Sequence, residues 1–356
     1  MTTLEKERWK ELGQHLINDG WNIFLGIAAI CSVAGIFWKV PKNQTLWVLV
    51  VIIVWLLITF FRVVRKLVRN EIKENGLDIP SEIQKIVKYL YDKKKYNDVV
   101  RLGSTISRFL WLNHYYSQRI AIGKMVEDSA SKTKNIKEQV SALIDDIGWT
   151  SFKINNSKKA ETSITNGINK AKKHHLYYYA AKGERHLAGI AAKKNRNNIM
   201  QHLTNAEDFT KLIVDIRLKD EMEGSLFFAK AEYFFEEENY VEAEKNILET
   251  RRVLENDTDR IVKTHSLLGN IYMAQNTDDS IQKAKDEFNE GYLNCKEVRS
   301  DEYARNAIGL AKIEIKEGDY IDAKSYLEEA QAILKGTDEI NEVNQLLDKL
   351  KNNGVK

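Results

Sequence analysis

The chain has 356 residues, of which 43% are hydrophobic and 29% are charged. This composition excludes a disordered chain and is sufficient for a large buried core. Lysine and arginine (54) nearly balance aspartate and glutamate (51), so the net charge of +3 gives no bulk signal for nucleic-acid binding. The cysteines, Cys31 and Cys295, are far apart and form no metal or disulfide pattern. With only two prolines, Pro41 and Pro80, the sequence favours an all-α protein.

Two apolar stretches near the N-terminus have the length of membrane spans. Residues 21–38 contain no Asp, Glu, Lys or Arg, and a helix of this length is about 27 Å long. A second apolar stretch follows a short polar turn, so we expect a transmembrane hairpin with spans at about 21–40 and 46–64. A cleaved secretory signal is the alternative for the first stretch, but the second span that follows it favours the hairpin.

Basic residues follow the second span directly. Arg62, Arg65, Lys66 and Arg69 have the spacing i, i+3, i+4 and i+7, which places them on one helical face. We expect this face to contact anionic lipid headgroups, although an ordinary positive flank would show the same residues. The excess of basic residues outside the turn predicts that both termini are cytoplasmic, at a bacterial inner membrane.

Small residues form a stripe in the first span. Ala28, Ser32 and Gly35 lie at i, i+4 and i+7, so a neighbouring helix can approach closely at this face. The neighbour is either the second span of the same chain or a span of another copy, which would give a homo-oligomer or a pore. The apolar stretches 21–38 and 46–61 contain no Asp, Glu, Lys or Arg that could relay ions.

Gly76 and Pro80 break the chain between the basic face and a long periodic region. We therefore expect an N-terminal segment with the hairpin at 1–70, a linker at 71–80 and a helical repeat domain at 81–352. Within that domain, residues 219–254, 260–295 and 302–335 each show apolar residues at helical spacing, a polar turn and a second such helix.

The positions of small residues carry a family resemblance. In a first helix, Leu268, Gly269 and Tyr272 give a large, a small and an aromatic residue. Second helices show small, large and small residues at i, i+4 and i+7, namely Ala284, Phe288 and Gly291, and Ala323, Leu327 and Ala330. These segments resemble tetratricopeptide repeats, and the resemblance implies an α-solenoid of helical hairpins. Before residue 200 the pattern is weaker, and helical hairpins of another kind are the alternative there.

Small residues at the presumed close-packing position recur at 123, 148, 188, 231, 269 and 311. Most of their intervals are about 40 residues, longer than the 34 of a tetratricopeptide repeat. One interval is only 25 residues. Longer helices, or one odd helix between 114 and 153, would explain these departures from the repeat length.

The resemblance also implies a binding groove on the first helices of the repeats. The residues expected to face it are Lys182, Arg185, Lys193, Lys263, Asn270, Arg305, Lys312 and Lys316. Glu232 and Glu236 interrupt this mostly basic set, which implies an acidic or C-terminal peptide as ligand. The alternative is an ordinary solvated surface, because long surface helices are rich in lysine.

The sequence contains no catalytic or cofactor-binding motif that we recognise, so we expect neither an enzyme nor a cofactor or metal. The leading hypothesis is a membrane-anchored scaffold that recruits a protein or peptide to the membrane. The alternative is a membrane-disrupting effector of bacterial anti-phage defence, whose repeats sense a trigger and whose hairpin oligomerises. A third hypothesis is an accessory protein of envelope assembly or of a sensor kinase.

Overall fold

The computed structural model describes residues 79–352, apart from 195, 256, 296–299, 335–336 and 338. The predicted membrane spans lie outside this part of the chain. So do the residues assigned to headgroup contact and span packing, which are Arg62, Arg65, Lys66, Arg69, Ala28, Ser32 and Gly35. Among the helices that the structure describes, none combines the length and the hydropathy needed to cross a bilayer.

The regular elements of the described residues are all helices, which confirms the all-α prediction for this part of the chain. In chain order they are α1 (Ile79–Asp92), α2 (Tyr96–Leu112), α3 (Tyr116–Lys132), α4 (Ile136–Ser141, Ala142–Trp149 and Thr150–Lys153 in succession), α5 (Ser157–Lys173), α6 (Tyr177–Lys194), α7 (Ile199–Lys211), α8 (Ile216–Glu236), α9 (Tyr240–Val253), α10 (Thr258–Gln275), α11 (Asp278–Cys295), α12 (Ser300–Glu317), α13 (Tyr320–Leu334) and α14 (Ile340–Asn352).

The helices stack as successive hairpins. From α2 onward each helix packs on the next, and the even-numbered helices from α4 to α12 also contact one another in turn. The even-numbered helices therefore form a continuous inner layer that the odd-numbered helices cover, which is the arrangement of an α-solenoid. First helices begin at residues 96, 136, 177, 216, 258 and 300. Their spacing of about 40 residues, against 34 in a tetratricopeptide repeat, explains the long intervals in the sequence.

The last helix, α14, covers the end of the stack. Val343, Leu347 and Leu350 of α14 are buried against α13, so α14 covers the apolar face that the last hairpin would otherwise expose.

The short interval in the series of small residues comes from Gly123. Gly123 lies on α3, a second helix, whereas the other small residues of the series lie on even-numbered helices. The short interval thus reflects a change of helix. Between 114 and 153 the structure has α3 and α4, and the middle part of α4 is a π-helix.

The turns between the first six helices follow one design. Each has three residues, and its middle residue has a left-handed backbone with φ between 56° and 60°. These residues are Lys94, His114, Lys134, Asn155 and His175. In two of the turns the next residue, Asn135 or Asn156, accepts a hydrogen bond from a backbone N–H of the following helix. The helices therefore reverse direction without the glycine or proline that normally marks a turn.

The middle part of α4, Ala142–Trp149, is a π-helix. The Thr150 hydroxyl donates to the carbonyl oxygen of Asp145 at 3.1 Å and so covers part of the widened turn. π-Helical turns are rare and often occur at functional sites. Here the widened turn contains Asp145 and Asp146, which both face protein rather than bulk water.

Candidate functional site

A cavity of 470 Å³ lies on the inner layer, among α4, α6, α7, α8 and α10. We call it the inner cavity. Its wall contains the aromatic side chains of Trp149, Phe152 and Phe228 together with several charged groups. The volume is within the range of ligand-binding pockets, and a mainly apolar wall with a few polar groups is typical of them.

Three residues of the predicted groove line the inner cavity, namely Arg185, Lys193 and Lys263. The Nε atom of Arg185 is buried and has no hydrogen-bond partner among the described residues. Loss of water around this guanidinium lowers the pKa of Arg185, although Glu232 acts in the opposite direction. A buried donor without a partner is costly, so an anion that accepted from it would be stabilised.

The inner cavity also contains carboxylates. Desolvation raises the pKa of Glu232, while the charge of Arg185 opposes this change. Glu236 lies near Arg196, which makes its shorter ion pair, at 2.9 Å, with Glu237. Because the cavity wall also includes lysines, its charge is predominantly positive, as the sequence implied.

The remaining predicted groove residues lie elsewhere. Three of them bond side chains of neighbouring elements, with Lys182 at 2.7 Å from Asp145, Lys312 at 2.6 Å from Glu342 and Lys316 at 2.7 Å from the side-chain oxygen of Asn276. Asn270 is half-buried on α10 and is not part of the inner cavity wall. Some of the predicted groove residues thus line one cavity, whereas several of the others bond side chains of the same chain.

A second cavity, of 570 Å³, is lined both by residues between 111 and 116 and by residues between 301 and 339. We call it the end cavity. Its walls come from the α2–α3 turn, the α4–α5 turn, the start of α12 and the segment around the α13–α14 turn. Phe152, Lys153 and Lys193 belong to both cavities, so the two form one continuous recess.

Arg305, another predicted groove residue, lines the end cavity but is fully engaged. Its Nε and Nη2 atoms donate to the two oxygens of Glu339 at 2.9 and 2.8 Å, and its Nη1 atom donates to Glu302 at 2.7 Å. Despite burial, these carboxylates hold the pKa of Arg305 above its ordinary value. Arg305 therefore fixes the start of α12 against the residues that precede α14 and has little charge left for a ligand.

Lys153 and Lys193 are the cations of the recess whose charge is least neutralised by carboxylates. Neither makes an ion pair with any residue in the described part of the chain, and each ammonium lies 5.8 Å from an aromatic ring centroid, Trp149 for Lys153 and Phe152 for Lys193. Desolvation and the positive charges of Arg305 and Lys193 lower the pKa of Lys153. Two like charges facing one cavity favour an anionic occupant between them.

A cluster of buried charges lies behind the inner cavity, on the π-helical part of α4. Asp146 pairs with Arg119 at 3.0 Å and accepts from the Ser107 hydroxyl at 2.5 Å. Asp145 pairs with Lys182 at 2.7 Å and with His186 Nε2 at 3.1 Å. Each of the adjacent aspartates thus has its own partners, although both leave the same helical turn.

Asp145 and Asp146 differ in pKa because their surroundings differ. Burial opposes ionisation of Asp145, but Lys182 and His186 hold its pKa far below the usual range. Burial raises the pKa of Asp146 to about 6 although Arg119 opposes the change. Burial and the nearby Arg185 charge lower the pKa of His186 to about 3. A neutral His186 stacks on Trp149, with ring centroids 4.3 Å apart, and so connects the charged cluster to the wall of the inner cavity.

The sequence pattern did not predict this cluster. A signal was present, because the run LIDDIGW at 143–149 places two adjacent aspartates within apolar residues. A carboxylate pair in such a run is costly to bury without partners. The partners, however, come from positions far away in the sequence, such as Arg119 and His186, and the spacing of residues does not identify them.

No protein-family profile and no curated protein matches the sequence. Several solved structures show partial similarity. The apo form of the quorum sensor NprR from B. thuringiensis is 11% identical over 80% of this chain and 93% of its own, with a TM-score of 0.40. The APC/C hetero-tetramer Cut9-Hcn1 is 14% identical over 78% of this chain and 50% of its own, with a TM-score of 0.37.

A third similar structure is the C-terminal part of a TPR repeat-containing protein from Cytophaga hutchinsonii. It is 12% identical over 73% of this chain and 98% of its own, with a TM-score of 0.31. Such low identities and TM-scores establish no family. The description of the chain as a stack of helical hairpins therefore rests on its own helices and contacts.

Proposed function

We propose that the solenoid binds an acidic peptide segment of a partner protein and that the chain acts as a scaffold of the tetratricopeptide type. The observation that carries this proposal is the convergence of Arg185, Lys193 and Lys263 on one cavity with an aromatic wall. Aromatic side chains contribute contact area at low entropic cost, and the cations favour carboxylates. An extended acidic segment supplies both backbone acceptors for the buried Arg185 donor and side-chain charge for the lysines.

We further propose that this scaffold is anchored to a bacterial inner membrane. The support is the sequence of residues 21–64, with a basic face at Arg62, Arg65, Lys66 and Arg69 that suits anionic headgroups. In this arrangement both termini and the solenoid lie in the cytoplasm, and the bound partner is recruited to the membrane surface. The effector hypothesis depends on the same N-terminal residues and gains no support from the described ones.

Binding is tested with the full chain purified in detergent and applied to an array of peptides of equal length and graded charge. We expect acidic peptides to bind and basic peptides of matched hydropathy to fail. Reversal of one cavity charge, in Lys193→Glu or Lys263→Glu, is expected to weaken binding about tenfold or more, because a like charge then faces the peptide.

The matched control is Lys194→Glu. Lys194 neighbours Lys193 in sequence and is also exposed, but it does not line the cavity and pairs with Glu161 at 3.0 Å. This variant should bind acidic peptides within about twofold of the wild type, since surface ion pairs contribute little. Equal losses in the control and in the cavity variants would show that the peptides respond to overall charge alone, and the proposed site would then be wrong.

A further inference from the structure

We infer that the end cavity is a second binding site, for a small organic anion that carries a planar aromatic ring. The ligand class differs from the acidic peptide proposed for the inner cavity, although the two cavities share Phe152, Lys153 and Lys193. The inference rests on three features of the end cavity, which are its uncompensated cations, its aromatic wall and its lining by residues from both ends of the described helices.

Only some of the charged side chains of the end cavity are available to bind a ligand. Asp301 and Glu339 also line the cavity, but both are within reach of Arg305, at 3.7 and 2.8 Å. These opposite charges therefore largely satisfy one another. Lys153 and Lys193 lie on the facing side, make no ion pair with any described residue, and are the groups to which an anion would bind.

Aromatic side chains lie on the wall beside these cations. The Phe152 ring is 5.8 Å from the Lys193 ammonium, so an anion held by Lys193 places the rest of the ligand next to this ring. Trp111 and Tyr116 line the same cavity, with ring centroids 5.5 Å apart at an angle of 54°. The Arg119 guanidinium lies over the Trp111 ring, 4.9 Å from its centroid, so a planar group has the other ring face and the ring edges to contact.

The size and position of the cavity restrict the ligand further. A volume of 570 Å³ accommodates a small molecule of nucleotide size but not a folded partner. The wall includes Trp111 at the α2–α3 turn and Thr337 just before α14, which are far apart in sequence. An occupant therefore contacts residues from both ends of the described helices.

Isothermal titration calorimetry on the full chain in detergent tests this site with four probes. Adenosine 5′-monophosphate carries a ring and a phosphate, indole-3-acetate a ring and a carboxylate, adenosine a ring alone, and inorganic phosphate a charge alone. We expect at least one of the first two to bind about tenfold or more tightly than both single-feature probes, because ring and charge are bound together. Their relative affinity distinguishes a phosphate ligand from a carboxylate ligand.

Variants locate the binding. Lys193→Gln and Trp111→Leu should each weaken the better probe about fivefold or more, whereas Lys194→Gln and Arg185→Gln should leave it within about twofold. Circular dichroism verifies that each variant is folded. If Trp111→Leu is not, Tyr116→Leu takes its place, because Tyr116 also lines the end cavity alone. Loss in Arg185→Gln but not in Trp111→Leu would assign the probe to the inner cavity and overturn the inference. Absence of binding by every probe, or equal binding by phosphate alone, would also overturn it.

Residues that line one cavity only distinguish this result from that of the peptide experiment. Trp111 lines only the end cavity and Arg185 only the inner cavity. Failure of the small probes with normal binding of acidic peptides would remove the end site and retain the scaffold, and the reverse result would do the opposite.

Discussion

Two interiors of the same solenoid are filled in different ways. In the C-terminal half the Phe288 side chain is fully buried, and its ring reaches both Gly269 of α10 and Gly309 of α12. A Cβ atom added to Gly269 would lie 2.5 Å from this ring. In the N-terminal half, Gly123 leaves room for Asp146, whose charge is met by Arg119. Glycine thus permits close helix packing in both halves, once for a ring and once for a carboxylate.

The two solutions differ in their energetics. A buried ring stabilises the fold through burial of apolar surface and is indifferent to pH. A buried ion pair costs desolvation energy that its attraction only partly offsets, but it penalises any arrangement that separates the charges. The π-helical turn of α4 brings two such carboxylates into the interior of the N-terminal half. We therefore expect the C-terminal interior to be the stronger and the N-terminal interior to be the more sensitive to partners and pH.

Removal of the ring at the C-terminal interior should have the largest effect. Phe288→Ala is expected to lower the free energy of unfolding by about 3–5 kcal/mol, because it leaves a cavity between two glycines that have no side chains to fill it. Urea titration followed by circular dichroism measures the change. Leu293→Ala on the same helix, at a position that is 74% exposed, should change stability by less than about 0.5 kcal/mol. Similar losses in the two variants would contradict the role given to Phe288.

Removal of the cation at the N-terminal interior should have the next largest effect. Arg119→Met keeps most of the side-chain volume but leaves Asp146 buried without a counter-charge, which is expected to cost about 3 kcal/mol at pH 7. The double variant Arg119→Met with Asp146→Leu removes both charges and should recover about half of the loss. The same urea titration measures both. No recovery in the double variant would show that packing, and not the ion pair, holds this interior together.

The contrast between the two halves explains how far the sequence predicted the fold. In the C-terminal half, Gly269, Phe288 and Gly291 follow the small and large pattern of an apolar interior, and the predicted hairpins are present as α10 to α13. In the N-terminal half, polar residues occupy interior positions and the turns carry residues such as Lys134 in place of glycine. The helical repeat therefore extends through both halves, but the N-terminal half lacks the small and apolar residues that make the repeat recognisable in the sequence.

The candidate site was predictable to a smaller extent. The tetratricopeptide resemblance implied that Arg185, Lys193 and Lys263 face a groove, and these residues line one cavity. Periodicity does not reveal which cations are neutralised, because Glu339 and Glu342 come from the segment around the start of α14 and pair with Arg305 and Lys312. The end cavity was not predictable at all, since its walls come from opposite ends of the described residues.

The pH dependence of stability should distinguish the two interiors. The pKa of Asp146 is raised from 3.8 to about 6 by burial, against the effect of Arg119 and with a smaller contribution from Asp145. A raised pKa means that the folded chain prefers the protonated form, so this group's contribution is complete below pH 3.8 and is lost as the pH rises to about 6. Between pH 4 and 7, the wild type should therefore lose about 2 kcal/mol relative to Asp146→Asn.

Urea titrations of both proteins at several pH values measure this difference. Ser107, Arg119, Asp145 and Lys182 also surround the carboxyl, but they are unchanged in the variant, so their titration cancels in the comparison. Phe288→Ala provides the contrast, because its deficit relative to the wild type should be constant over the same pH range. A pH-independent difference between the wild type and Asp146→Asn would show that Asp146 stays ionised throughout.

The smallest expected effect concerns the turns of the two halves. Lys134 in the α3–α4 turn has a left-handed backbone with φ of 58°, whereas Gly318 in the α12–α13 turn has φ of 88°. A residue with a Cβ atom is strained there and glycine is not. Lys134→Gly should therefore raise stability by about 0.5–1 kcal/mol, and Gly318→Ala should lower it by about 1 kcal/mol. Lys137→Gly, within the first turn of α4, is the control and should lower stability, because glycine is unfavourable inside a helix. A loss of stability in both Lys134→Gly and Lys137→Gly would mean that the Lys134 side chain, and not its backbone angle, stabilises the turn.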